Sequence, residues 1–403
     1  MGERVLRKPV SRGVALVAGT LVLFINGIVY AWSIYSAPFS ENFGWTSAQL
    51  GVCFTIVLIM FCIGGFLGSI ATGKLGSGKT ISLGGLAAAI GYALSLLLNA
   101  DRLLLLYVCF AIAGLGSGIA YNAVISNVTA RFPDKKGTAS GVMLMGFGTS
   151  TLIMGSVATA LISSVGWKMT YVITAILLVV ISVGGSIVLA VQPEQTAANN
   201  TEETEGLTTG QMVHTPAFWL VFGVATINCF FGFGVLGHAR AMAIEGGFAA
   251  QTAALIVGLV SVMNGVGRIF YGMLQDKKGY TVSFPVASCS LILAAVLAIV
   301  GFSAKIPVMV AIGLMLGGFG NSAGPTIITS LAAEFFGRTH YGRNMSVLNM
   351  NMVPGSVGSS VAGAVQTASG SYRGCFIIFG MLEIPALLLV FVLAKLDKKG
   401  KAR

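Results

Sequence analysis

A single arginine, Arg268, stands inside the stretch ALIVGLVSVMNGVGRIFYGML, where no other residue is charged. A charge at the centre of an apolar span costs about 2.5–3.5 kcal/mol on insertion scales, so it has to face a partner or an aqueous cavity. Its planar guanidinium fork matches a carboxylate with two parallel hydrogen bonds. The competing use is an internal salt bridge, and the one other ion wholly inside an apolar run is Glu383. Tyr121 follows GLGSGIA, whose small residues let helices approach closely, and its hydroxyl can bind a carboxylate oxygen. Asn122 is beside it. An Asn between helices more often makes an interhelical hydrogen bond, and that reading also covers Asn26, Asn228, Asn264, Asn321, Asn349 and Asn351.

A second stretch points to different chemistry. GKLGSGKT, residues 73–80, fits the nucleotide-binding pattern G-x-x-x-x-G-K-[ST]. That pattern cradles phosphates only when a strand leads into it and a helix follows. Here residues 51–72 and 81–99 are uncharged apolar runs. Each is long enough to cross a hydrocarbon core of about 30 Å as a helix. The segment is therefore expected to be a turn between two membrane spans, with no nucleotide bound.

The whole chain supports that setting. Of 403 residues, 55% are hydrophobic and 9% charged, with mean hydropathy +0.88, whereas soluble domains carry about 25% charged residues. The chain reads as an all-α polytopic membrane protein whose partner is the lipid bilayer. The net charge of +11 points to basic loops on the cytoplasmic side rather than to nucleic acid. Residues 1–12 are basic, but the run behind them is spanning length and lacks a clear cleavage site. The six cysteines lie in apolar runs without metal-ligand spacing to histidine, so no metal or cofactor is expected.

Twelve spans are predicted, at 13–36, 47–71, 81–99, 103–128, 138–164, 168–192, 217–239, 250–273, 282–303, 307–331, 345–368 and 372–394. They divide into an N-terminal six-helix bundle (1–192), a cytoplasmic linker (193–215) and a C-terminal six-helix bundle (216–403). The linker region carries four glutamates and no Lys or Arg, which reads as flexible. With the N-terminus cytoplasmic, only Arg102, Lys168, Arg240, Lys305 and Arg373 fall on outside loops. Arg268 is inside a span, and every other Lys and Arg is cytoplasmic, as the positive-inside rule requires. Both termini are thus expected in the cytoplasm, with the chain multi-pass in the inner (plasma) membrane.

The halves repeat. A shift of 203 residues brings Gly44 onto Gly247, Gly76 onto Gly279 and Phe132 onto Phe335, and lays GKLG on DKKG. The apparent phosphate loop is then one copy of a turn whose other copy lacks the pattern. Repeated six-span halves are a transporter plan, with the substrate site near the midplane between them.

GMLQDKKG after span 8 matches the loop signature G-x-x-x-D-[RK]-x-G of the major facilitator superfamily, which the chain resembles; the first copy has Gly73 where the acid is expected. RFPDKKGTASG after span 4 adds to the likeness. Within the superfamily the chain resembles the oxalate:formate antiporters and monocarboxylate transporters. The matching pieces are GIVYAWSIYSAPF, GIAYNAVISNVTARFPDKKGTASG, TPAFW, NGVGRIFYG and FGRTHYGRN. The resemblance implies two pseudo-symmetric bundles, a carboxylate-binding role for Arg268, and cavity positions for Tyr30, Tyr121 and Phe147. The family's second cation, a lysine in span 11, falls at Met352, and aromatic positions of spans 10 and 11 fall near Asn321, Pro325 and Asn349. One cation suits one carboxylate.

The expectation is a secondary transporter of small organic anions, most of all monocarboxylates of the lactate or formate type, running as anion exchange or proton symport. It is expected to act as a monomer, with a small carboxylate and a proton as its partners. A dicarboxylate exchanger, a non-transporting receptor on the same fold and a membrane enzyme are the rivals; no HExxH or Ser/His/Asp set favours an enzyme. Trp32 and Tyr35 are expected in an interfacial aromatic belt, and His238 at the interface. Glu383, beside Pro385 in a span the fold places at the periphery, is a candidate proton site, with a protonated or paired structural acid as the favoured expectation.

Overall fold

The computed structural model describes residues 10–132, 136–190, 206–337 and 340–398. Most of the expected linker (193–205) and the N-terminal residues 1–9 lie outside the described residues. Among the described residues the secondary structure is helical, with no strand. We number the helical segments α1 (Arg12–Phe43), α2 (Ser47–Leu75), α3 (Ser77–Leu97), α4 (Leu103–Ala130), α5 (136–165), α6 (167–189), α7 (Pro216–Glu245), α8 (Ala250–Lys278), α9 (Tyr280–Ala304), α10 (Pro307–Phe336), α11 (341–369) and α12 (Arg373–Lys398).

Ten stretches among the described residues are long and apolar enough to cross a membrane, against twelve segments read from the sequence. Two features account for the difference. First, α5 and α6 form one 54-residue helical run, about 80 Å if straight, more than twice a hydrocarbon core. The run folds back at Gly166, whose φ of 80° and ψ of 163° are not helical. Gly27 of α1 lies against the Phe147 carbonyl and Val22 against Gly185, so neighbouring turns of α1 touch residues 19 before and 19 after the bend. Second, α11 is broken by a tighter turn at Asn349–Asn351 and is rich in polar residues.

The segment GKLGSGKT is a helix–glycine–helix corner. α2 continues through Leu75, Gly76 takes φ 81°, and α3 begins at Ser77. The left-handed region favours glycine because a side chain there meets the backbone. The repeat partner does the same: Gly279, φ 72°, separates α8 from α9. Gly44 and Gly247 also both have positive φ, 68° and 101°. The 203-residue repeat is thus a repeat of backbone conformation. No strand leads into the first copy, so the phosphate-loop geometry is not formed.

Hydrogen bonds between the halves cluster at one end. The Thr55 hydroxyl of α2 donates to the Ser356 carbonyl of α11 at 2.8 Å and also meets Ser360 at 2.8 Å. The Ala48 N–H donates to Thr367 at 3.1 Å. Arg240 of α7 pairs with Glu41 at 3.7 Å. Each such hydrogen bond contributes about 1 kcal/mol net. Beside them Gly51 lets α2 and α11 touch: a Cβ there would sit 2.5 Å from the Ser359 carbonyl oxygen.

Candidate functional site

The centre of the molecule is built from both halves. The first supplies rings. Tyr30 lies in a tightly wound turn of α1, Gly27–Ala31, which holds it edge-on to Phe147 of α5 at 5.2 Å. Phe147 meets Tyr121 of α4 at 5.3 Å, and Tyr121 meets Phe61 of α2 at 5.2 Å. Edge-to-face pairs at these separations contribute about 0.5–1.5 kcal/mol beyond burial. Four helices are thereby joined through one aromatic wall.

The second half supplies the cation. Arg268, ten residues before the end of α8, is half-buried. It lies near the Tyr121 hydroxyl, on a helix that packs against α5 and against the turn Gly27–Ala31 that carries Tyr30. Among the described residues no carboxylate forms an ion pair with it. The internal salt bridge with Glu383 is therefore not formed. A guanidinium with donors to spare, beside a tyrosine hydroxyl and a ring wall, can hold a carboxylate by its charged end and pack its apolar end.

Arg268, Tyr121, Tyr30 and Phe147 are brought together. The other candidates scatter. Met352 is half-buried at the end of the turn that breaks α11 and packs on the main core. The neighbouring Asn351 accepts a 3.4 Å hydrogen bond from the Cys229 thiol. Asn122 is half-buried and accepts from Ser126 at 3.3 Å. Asn349 is exposed. Asn321 is buried with its side chain against Gly232 of α7, inside the second half rather than against the ring wall. Phe61 was not anticipated: in the run VLIMFCIGG nothing separates it from lipid-facing neighbours, and only its ring contacts reveal it.

Several expectations are corrected. Trp32 and Tyr35 are not in an interfacial belt but are 3% and 1% exposed. Trp32 packs edge-on to Phe110 at 4.7 Å, and Tyr35 bonds Thr174 at 2.9 Å. The first half packs these aromatics as core because α1, α3, α4 and α6 converge there. His238 is likewise buried rather than interfacial. Its Nε2 is 3.0 Å from the Ser359 carbonyl oxygen and its Nδ1 is 2.9 Å from the Tyr372 hydroxyl. Of the asparagines, Asn264 does make an interhelical bond, donating to the Gly318 carbonyl at 3.1 Å, whereas Asn26 bonds within its own helix.

Comparison with known proteins agrees with this architecture. The chain is 24% identical over 392 residues to the oxalate:formate antiporter of Oxalobacter formigenes, covering 96% of this chain and 92% of that one. It is 24% identical over 429 residues to monocarboxylate transporter 12 of Rattus norvegicus, covering 96% and 86%. The fold superposes on a bacterial homolog of the human lysosomal transporter Spinster, in an inward-facing and occupied conformation. That match has a TM-score of 0.75 at 16% identity, covering 96% of this chain and 98% of that one. These similar proteins are transporters, not enzymes. The family model described as Major Facilitator Superfamily matches residues 16–293 and 241–403, and with the oxalate:formate and monocarboxylate relatives it places the chain as a member of that superfamily.

Proposed function

We propose that the protein carries small monocarboxylates across the plasma membrane by alternating access. One observation carries this reading: Arg268, half-buried and without an acidic partner among the described residues, sits on a second-half helix that packs against α5 and the turn carrying Tyr30, on the side of the ring wall. The relatives named for oxalate, formate and monocarboxylate transport support an organic anion. Met352, an apolar residue where the antiporters carry a second cation, favours one carboxylate over two. A second carboxylate there would be buried without a countercharge, which costs several kcal/mol.

In this reading the bundles 1–192 and 216–403 rock about the site, joined by the linker 193–215, with both termini cytoplasmic. The end sealed by Thr55, Ser356, Ala48 and Thr367 is then the outer end, and the molecule faces inward. A single chain holds the whole path, so a monomer suffices. Transport is driven by gradients, through exchange of two anions or cotransport of a proton. The test is uptake of labelled lactate, formate and oxalate into proteoliposomes. Saturable lactate or formate uptake that Arg268→Ala abolishes supports the reading, and preference for oxalate overturns it.

A further inference from the structure

We infer that Glu383 is the centre of a second, internal site, which takes one monovalent cation (a proton or a sodium ion) among α7, α9, α10 and α12. The occupancy part stands alone; the coupling part rests on the anion reading above. Glu383 is fully buried, and neither carboxyl oxygen has a hydrogen-bond partner among the described residues. A buried carboxylate without a countercharge is strongly disfavoured, so it holds a proton or a cation.

The surroundings supply oxygen atoms in the same condition. Ser288 of α9, a helix that packs on α12 where Ala295 meets Gly380, is fully buried and its hydroxyl has no hydrogen-bond partner among the described residues. Asn228 of α7 is fully buried with neither amide atom bonded, and Asn321 of α10 has an unbonded Oδ1. Packing brings the four helices to one level. The Asn321 side chain lies against Gly232, one turn from Asn228. Phe379, one turn before Glu383, packs on Phe230 and Phe231 of α7 at 5.6 and 5.3 Å. Gly320, beside Asn321, lies against Leu291 and the carbonyl of Ala287, which precedes Ser288. Buried polar groups in native proteins are bonded as a rule, so unbonded oxygens on four neighbouring helices call for an occupant. Their number and hardness suit a proton shared with the carboxyl or a small oxygen-loving cation.

The titratable groups facing Glu383 are Cys229 on α7 and Tyr271 on α8, with Cys289 of α9 beyond Tyr271. Gly267, beside Arg268, lies against the Phe319 carbonyl and the Ser322 hydroxyl of α10, in the turn that carries Asn321. The cation site and the arginine therefore approach each other across one turn of α10. When the cation site is empty, the negative carboxylate opposes an anion at Arg268; filling it removes that opposition. Linkage makes the effect mutual: each ligand raises the affinity of the other by one factor.

The experiment uses the full-length purified protein, wild type and Glu383→Gln, the latter an uncharged mimic of the filled state. In the proton arm, infrared spectra of wild type show the C=O stretch of a buried carboxylic acid, and Glu383→Gln lacks it. In the sodium arm, sodium chloride raises the thermal midpoint above that in choline chloride at alkaline pH, and Glu383→Gln loses the rise. Either result supports the site and identifies its ion. Absence of both signals, or either one persisting in Glu383→Gln, overturns it. Coupling is read from lactate uptake in proteoliposomes. Lactate affinity in wild type rises roughly 5-fold or more as pH falls or sodium increases, and in Glu383→Gln it stays constant. A flat wild-type affinity overturns the coupling. If wild type takes up no lactate, the anion reading fails while the spectroscopic arms still decide occupancy.

Discussion

The Nδ1 atom of His238 and the hydroxyl of Tyr372 are 2.9 Å apart, and that hydroxyl is 3.3 Å from Ser47 of the first half. A buried imidazole thus reaches across the sealed end through a tyrosine. Tyr372→Phe keeps the ring packed on His238, at 5.3 Å between centroids, and deletes only the polar link. The loss of about 1 kcal/mol should open the sealed end roughly fivefold more often. Labelling of Ala48→Cys, which keeps the Ser47 hydroxyl and the Ala48 N–H, by a membrane-impermeant thiol reagent, with and without Tyr372→Phe, measures this. Equal labelling rates would show that the link carries no weight.

Gly51 should tolerate no side chain in the sealed state. An added Cβ meets the Ser359 carbonyl oxygen at 2.5 Å and His238 Nε2 at 2.9 Å, and backbone there has little room to yield. Gly51→Val is expected to fold, since the contact joins the halves rather than stabilising either one, yet to lose transport. Wild-type uptake by this variant would mean that α2 and α11 never need to touch.

Arg268→Lys is expected to behave almost like Arg268→Ala. Lysine keeps the charge but loses the two-donor fork. Losing a charge-assisted bidentate contact should cost on the order of 2–5 kcal/mol, about 30-fold or more in affinity. Competition binding of lactate to the inserted protein checks it; unchanged affinity in Arg268→Ala removes Arg268 as the anchor.

Met352→Lys should move preference from lactate toward oxalate. The added ammonium would stand near Asn351, which the Cys229 thiol ties to α7. Competition among lactate, formate and oxalate in proteoliposomes, in both proteins, tests this. No change in their order would mean that Met352 does not face the path.

Lys79→Ala should leave transport intact. Lys79 sits in the first turn of α3, after the Gly76 corner, where no phosphate cradle is formed. Saturable ATP binding that this variant abolishes would refute the corner reading.

Sequence alone located the helices and the repeat because both depend on local signals: uncharged runs, and glycines where φ must be positive. It singled out Arg268 because an ion in an apolar run stands out, and the structure leaves that residue half-buried without an ion pair among the described residues. It misplaced Trp32, Tyr35 and His238 because these helices are apolar on every side, so no stripe marks the face turned to protein. Phe61 was missed for the same reason. The break read between spans ending at 164 and starting at 168 is where Gly166 bends the run, whereas the tighter turn Asn349–Asn351 inside α11 was not read, because it leaves no polar loop.

The ring wall belongs to one half and the guanidinium to the other, and this division has a thermodynamic corollary. On the proposed reading, neither bundle is a receptor by itself. The ligand is then in effect a non-covalent rivet, and its retention measures how the bundles are juxtaposed at that instant. As the rivet seats, it adds cohesion to arrangements that bring Arg268 towards Phe147 and adds none to those that separate them. Occupancy therefore weights the conformational clock of the molecule directly, with no relay of intervening side chains.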